Sequence, residues 1–239
     1  MKIDYSNLIR MELLQKMKTG EFSKCDRLPR ELELAKQFNI SRNHLREVLA
    51  QLEREGFITR IHGVGTIINH HVMQVKNRMD IEVEFFDIIR QNGYQPDISY
   101  VHIQEEEADS YVAEKLQIPE KKEVIRACRV CTANRRPAIY CEDIFEKSLI
   151  KEEYTLKDFE QPIFHFLKKR CYIEAYMDLT QIRAIAANEI VAEALNISTG
   201  TPVLNMEEVD YDISGNVVFY SMQYFVDDIF EQTVFRKKL

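Results

Sequence analysis

Two amphipathic segments between Glu31 and Phe57 are separated only by Asn39-Ile40. In the first, Glu31–Phe38, the residues Leu34, Ala35 and Phe38 share one side. The second reads ISRNHLREVLAQLEREGF over 40–57 and spaces Leu45, Val48, Leu49 and Leu52 along one helical face. Ser41 is a good N-cap for it and Gly56 a good stop. Two short helices joined by so tight a turn predict a helix-turn-helix. Upstream, Ile9, Leu13 and Met17 mark a helix over residues 5–19. Downstream, residues 57–62 and 66–68 read as strands around Gly63-Val64-Gly65, whose glycines allow positive φ at a hairpin tip. Helix-turn-helix followed by hairpin is a winged helix.

The second helix opens with Arg42, Asn43, His44 and Arg46, yet the chain carries a net charge of −7. A helix start already holds partial positive charge and disfavours cations. The charge is divided unevenly along the chain. Residues 1–70 hold 12 Lys and Arg against 9 Asp and Glu, and the remainder holds 20 against 30. A basic head on an acidic body implies a polyanion partner for the head. Arg42 and Arg46, one turn apart, suit guanine edges. Ser41, Asn43 and His44 suit phosphates at the helix start, and Arg60, His62, Gly63, Gly65 and Thr66 would contact DNA from the wing. Lys36, Arg54 and Glu55 read as ordinary solvated surface.

The segment Leu28–Ile68, LPRELELAKQFNISRNHLREVLAQLEREGFITRIHGVGTII, resembles the N-terminal winged helix of GntR-type bacterial transcription regulators. LP-x-E-x-ELA, the SR start of the recognition helix, L-x-x-EGF and the G-x-GT wing occur in order. The family commonly places a polar, DNA-touching residue where Leu32 stands here; Arg30 is the nearest substitute.

Residues 70–80 carry few core-forming residues and read as a linker. Beyond a helix at 81–92, strands are expected at 97–104, 123–133, 137–146, 173–183, 203–211 and 217–225, with helices at 108–116, 162–169 and 187–195. Shifting the body by 79 lays VAEKLQI (Val112–Ile118) on VAEALNI (Val191–Ile197), and the apolar pattern continues without a gap into both strands of each hairpin. The body therefore reads as a duplicated helix-plus-hairpin unit whose two copies complete one sheet. On this gapless alignment Arg129 faces Glu208, and Glu142 faces Ser221.

The body resembles the UTRA effector-binding domain of the HutC branch of GntR regulators, which has a chorismate-lyase-like fold. A-x-x-L-x-I before the first hairpin, P-A-I-Y-C-E on its return strand and the closing G-N-V-V-F-Y-S carry the likeness. The resemblance implies an effector pocket using Arg129 and Glu142, with Tyr140 and Ser221 beside them. Cys131, Pro162 and Val226 stand where phosphate-binding members place an arginine, a serine and an arginine. A phosphate needs several such donors, so the expected effector is not a sugar phosphate but a nucleoside, neutral sugar or amino acid derivative.

The expected architecture is α+β: a winged helix-turn-helix over 1–69, a linker over 70–80, and a mixed α/β effector domain over 81–239. The expected function is a ligand-responsive repressor acting as a homodimer on a palindromic operator of double-stranded DNA. The alternative is an enzyme using the lyase-like C-terminal domain, but Ser-His-Asp order, GxSxG, a P-loop and a metal cluster are missing from the sequence, so catalytic chemistry is not expected and no cofactor or metal is called for. The five cysteines include a CxxC, Cys128 and Cys131, but strand alternation points the two to opposite faces. His70-His71 read as solvated linker residues. The N-terminus has no apolar signal core and no run of about 18 apolar residues occurs, so a cytoplasmic protein without a membrane span is expected.

Overall fold

The structure is a computed structural model and describes residues 5–237. The chain forms two compact units. The first comprises residues 5–81 with 232–237, the second Glu82–Glu231.

In the first unit, α1 (Tyr5–Lys18), α2 (Glu31–Gln37) and α3 (Arg42–Arg54) close around Leu13, Leu34, Leu45 and Leu52, each fully buried. Burying each leucine contributes roughly 1.5–3 kcal/mol, which fixes the pose of α3. Ser41 caps α3 by accepting from the His44 backbone N–H at 3.1 Å. Strands β1 (Ile58–Ile61) and β2 (Gly65–Ile68) form the antiparallel wing, with Ile58 opposite Ile68 and Ile61 opposite Gly65.

Residues 70–80 are more than a linker. They form a short helix, α4 (His70–Met73), which buries Val72 and Met73, and a strand, β3 (Asn77–Arg78). β3 pairs in parallel with β10 (Gln232–Thr233) from the end of the chain. The guanidinium of Arg78 lies between the rings of Phe57 and Phe235, at 5.1 and 4.9 Å. Gly56 makes room for this arrangement. Its φ is +81°, and a Cβ there would stand 2.4 Å from the Phe235 ring. Lys237 donates to the Glu53 carbonyl at 2.9 Å. The tail therefore packs with the winged helix, although an 81–239 boundary grouped it with the body.

The second unit is a six-stranded antiparallel sheet in the order β4-β5-β6-β9-β8-β7. The strands are β4 (Pro96–Glu107), β5 (Glu123–Ala133), β6 (Arg136–Glu146), β7 (Met177–Ala186), β8 (Pro202–Tyr211) and β9 (Val217–Phe225). The helices are α5 (Phe85–Gln91), α6 (Ser110–Leu116), α7 (Ile163–Phe166) and α8 (Glu189–Leu195). The 81–92 helix starts four residues later than the periodicity suggested.

The duplication is visible in the order, which reads the same from either edge once copies are equated. Helices α6 and α8 match to the residue. Asp109 and Asn188 cap them alike, accepting from the backbone N–H of Val112 and Val191, and Gln117 and Asn196 end them in the left-handed conformation. The gapless alignment fails at the return strands. Cys128 pairs with Glu142, whereas its counterpart Glu207 pairs with Met222. The return strands therefore correspond at a shift of 80, because the second turn is one residue longer. Asn134 and Arg135 close the first hairpin with both φ positive, the two-residue geometry that suits twisted strands. The second turn is held by Asp212, which accepts from the backbone N–H of Ser214 and Asn216 at 2.8 and 2.9 Å. Ser221 is thus the counterpart of Cys141, not of Glu142.

On one face of the sheet α6 packs with Val124, Ile144 and Tyr220, and α8 clusters with Val130, Ala138 and Tyr140. On the other, α7 and its neighbours bring Phe159, Phe166 and Leu167 against Ile125, Phe145 and Phe219.

Candidate functional site

Two surfaces hold the residues singled out in the sequence. On the first unit, Arg42 and Arg46 project from α3 with their side chains 64% and 58% exposed. Both reach the carboxylate of Glu31 at the start of α2, Arg42 Nε at 3.0 Å and Arg46 Nε at 3.8 Å. Glu31 thereby aims two guanidiniums from the neighbouring helix, a role no local pattern announces because eleven residues separate it from Arg42. Arg30, Ser41, Asn43, His62, Gly63 and Gly65 are exposed as expected, and Thr66 is half-buried. Gly63 and Gly65 have φ of +75° and +115°, which a side chain rarely adopts. Leu32 is 59% exposed, an uncovered apolar residue on α2.

Two expected contacts are otherwise engaged. The His44 ring nitrogen Nε2 hydrogen-bonds Ser6 Oγ at 2.8 Å, so its imidazole fastens α3 to α1. The Arg60 guanidinium donates to Glu53 at 2.7 Å, and its backbone N–H to the same carboxylate at 2.8 Å, tying the wing to α3. The exposed Arg27 instead reaches the wing tip, donating to the Val64 carbonyl at 3.1 Å.

In the second unit the four expected effector residues divide between the two faces of the sheet. The cross-strand row Ala127, Asp143, Ser221, Glu208 and Thr180 lies on one face. The row two residues along, Arg129, Cys141 and Gln223, lies on that face too. The row between them, Cys128, Glu142, Met222 and Glu207, lies on the opposite face. Hence Arg129 and Ser221 share a face, while Tyr140 and Glu142 point away from both. On their own side, Glu142 accepts from Arg126 at 2.8 Å and from the Tyr140 hydroxyl at 3.0 Å, and Arg126 also donates to Glu106 at 2.8 Å. Nearby, Lys115 pairs with Glu207 at 2.7 Å and Tyr220 donates to the same carboxylate at 3.1 Å. These side chains satisfy one another beneath the helices.

The Arg129 face is different. Arg129 is buried, ion-paired to Asp143, and donates to the Gln161 carbonyl at 2.8 Å. Ser221 Oγ donates to the other oxygen of Asp143 at 2.8 Å. Along the same face follow Glu208 and Asp210, buried, with Asp178 and Glu82 beside them. Burial, then the neighbouring carboxyls, push the carboxyls of Glu208 and Asp210 well above the usual range. One guanidinium thus faces a row of acids. Sequence reasoning missed Asp143, Glu208 and Asp210 as a group because they lie on two strands, β6 and β8, far apart in the chain and separated in the sheet by β9.

A winged helix displaying paired arginines, joined to a duplicated α/β unit with a buried polar face, defines a two-part DNA-binding regulator. The chain belongs to the GntR family of bacterial regulatory proteins and carries a UTRA domain: residues 6–68 match the former and residues 91–231 the latter. It is similar to the HTH-type transcriptional repressor NagR of Bacillus subtilis, 26% identical over 92% of this chain and 89% of that one. It is also 24% identical to the probable fructoselysine utilization operon transcriptional repressor of Shigella flexneri, over 89% and 86% of the two chains. Among solved structures, the possible transcriptional regulator YydK of Bacillus subtilis superposes with a TM-score of 0.77 at 20% identity, covering 97% of this chain and 100% of that chain. The protein is a transcription regulator, not an enzyme. Among the described residues, no helix is long and apolar enough to cross a membrane.

Proposed function

We propose that this chain is a cytoplasmic repressor that binds a palindromic operator as a homodimer and changes its affinity when a small metabolite occupies the Arg129 face of its UTRA domain. The observation that carries the reading is the pair Arg42 and Arg46, exposed one turn apart on α3 and aimed by Glu31. Guanidiniums so placed suit bidentate contact with guanine edges, and two copies related by a two-fold axis would read two half-sites. Ser41 and Asn43 at the helix start, with His62, Gly63, Gly65 and Thr66 on the wing, supply backbone contacts. Arg30 takes the place of the polar residue that Leu32 lacks.

The effector is not a sugar phosphate. The one guanidinium on the acidic face, Arg129, is already neutralised by Asp143, and a phosphate there would meet Glu208 and Asp210. An effector that distinguishes the operator-bound and free states shifts binding by its differential affinity for them.

Fluorescence anisotropy with the chain's own upstream DNA tests the reading. Specific binding should weaken steeply with salt as counterion release loses its drive, and Arg42→Ala should cost about 1–3 kcal/mol at the cognate site. Binding no stronger to any upstream fragment than to scrambled duplex, in dilute buffer, refutes it.

A further inference from the structure

Asp210 is wholly buried, and neither of its carboxylate oxygens accepts from an N–H or a hydroxyl; its one hydrogen-bonding neighbour is another acid, the carboxyl of Glu208. Buried polar groups are almost always paired, and an exception calls for an explanation. Its surroundings make the exception sharper. The nearby acids are Glu208, Asp178 and Glu82. Among the described residues, none of these four carboxyls pairs with Lys, Arg or His within 4.0 Å, and the guanidinium on this face, Arg129, is held by Asp143. The Thr180 hydroxyl has one proton for two acids, and it lies 2.5 Å from Asp178 and 3.3 Å from Glu208. The face therefore presents acceptors in excess of donors.

A group that completes this arrangement must bring positive charge and several N–H donors. Glu82, Glu208 and Asp210 each place one oxygen so that the three lie within 4.8 Å of one another. A primary ammonium carries three donors in a tetrahedral fan. With N–H···O separations near 2.8 Å, the acceptors of such a fan stand about 4.6 Å apart. Glu82 is exposed, so the set opens to solvent at that end. Either kind of cation displaces the proton that burial keeps on these acids, but a divalent ion would also need the oxygens drawn to roughly 2.0–2.6 Å from one centre, whereas an ammonium leaves them at hydrogen-bond distance. The neutral hydrogen-bonding side chains of Thr180, Ser221 and Gln223 next to the acids suit the hydroxyl or amide groups of an organic molecule.

We infer that the effector of this regulator is a small organic amine whose ammonium group is held by Asp210, Glu208 and Glu82. The inference rests on reading the second unit as the effector-binding part of a DNA-binding regulator, and the test separates the two.

The full-length protein is heated with primary amines, including glucosamine, cadaverine and lysine methyl ester, each beside its N-acetyl counterpart, and with magnesium, calcium and zinc chlorides alone. A free amine near 100 times its Kd should raise Tm by roughly 5–10 °C; its N-acetyl form should raise it far less. Asp210→Asn and Glu208→Gln, each checked by circular dichroism and operator binding, should abolish the rise. Tyr111→Phe, on the opposite face, should keep it. The inference falls if no amine outperforms its N-acetyl partner, if the rise survives Asp210→Asn, or if a divalent ion alone produces it. If an uncharged metabolite controls operator binding, the inference falls and the regulatory reading stands. If no upstream DNA is bound at all, the regulatory reading falls whatever the amines do.

Discussion

The carboxylate of Glu31 accepts from Arg42 Nε at 3.0 Å across the turn that joins α2 to α3. With Arg46 Nε at 3.8 Å from its other oxygen, it holds two exposed guanidiniums in register. A surface pair of this kind adds little stability, about 0–1 kcal/mol. Its effect is on orientation, which matters where bidentate contact with a base requires the planar fork to arrive aligned.

Glu31→Gln should therefore leave folding unchanged and alter recognition. Removing the negative charge raises attraction to any phosphate backbone, while the freed arginines lose alignment. We expect affinity for scrambled duplex to hold or rise and the ratio of cognate to scrambled affinity to fall several-fold. Anisotropy titrations with both duplexes at one salt concentration measure the ratio. An unchanged ratio would mean that the pair orients nothing.

Gly56 ends α3 with positive φ and accommodates the Phe235 ring. Gly56→Ala should cost about 1–2 kcal/mol from backbone strain, and more because the ring must leave Arg78. Phe235→Ala alone loses that stacking and introduces no backbone strain. The double variant should be more stable than additivity predicts, since the clash has been removed. Urea unfolding of the four proteins gives the coupling, and strict additivity would show that the tail does not pack against Gly56 in solution.

Arg129 is buried with Asp143 as its ionic partner. Removing one member of a buried pair leaves an uncompensated charge and costs about 3–5 kcal/mol, whereas replacing both by apolar residues is often far milder. Arg129→Met should thus destabilise severely, and Arg129→Met with Asp143→Leu should recover much of the loss. Thermal unfolding orders the three proteins. A mild effect of Arg129→Met alone would show that the pair is not closed in solution and that Arg129 is free for a ligand.

The winged helix was legible because its signals are local. The cap at Ser41, the spacing of Leu45, Val48, Leu49 and Leu52, and the wing glycines each lie within a few residues of what they specify. The shift between the two halves of the body was legible only as far as the first hairpin strand. Ala138-Ile139-Tyr140 lies equally well on Val217-Val218-Phe219 or, one residue on, on Val218-Phe219-Tyr220, because a sheet buried on both faces has no polar alternation to fix its phase. That single residue decides which face a side chain takes, and so it separated Glu142 from Arg129. Residues 70–80 look like a linker because their partners, 232–235, lie at the far end of the chain. Polar composition describes a segment's own side chains, not what arrives to cover them.

The acids of the Arg129 face carry a pH signature. Burial first, then the charge of Glu208, raises Asp210 to about 11; burial first, then the charges of Asp178 and Asp143, raises Glu208 to about 7 although it is hydrogen-bonded to Asp210, and both stand above the carboxyl values of an unfolded chain near 4. A group whose folded value is raised binds its proton more tightly in the native state, so stability falls as pH rises from the unfolded value through the folded one. The ligand-free protein should thus lose stability between about pH 5 and 8. Carboxylates held low, such as Glu207 beside Lys115, act in the opposite sense but have finished titrating above about pH 5. Asp210→Asn removes the acid with the larger shift, so it should flatten this slope and leave the variant more stable than the parent at pH 8, by on the order of a few kcal/mol. Urea midpoints at pH 5, 6.5 and 8 for both proteins measure the effect. Parallel pH profiles would show that these carboxyls meet water or a counterion in solution and do not stand buried without one.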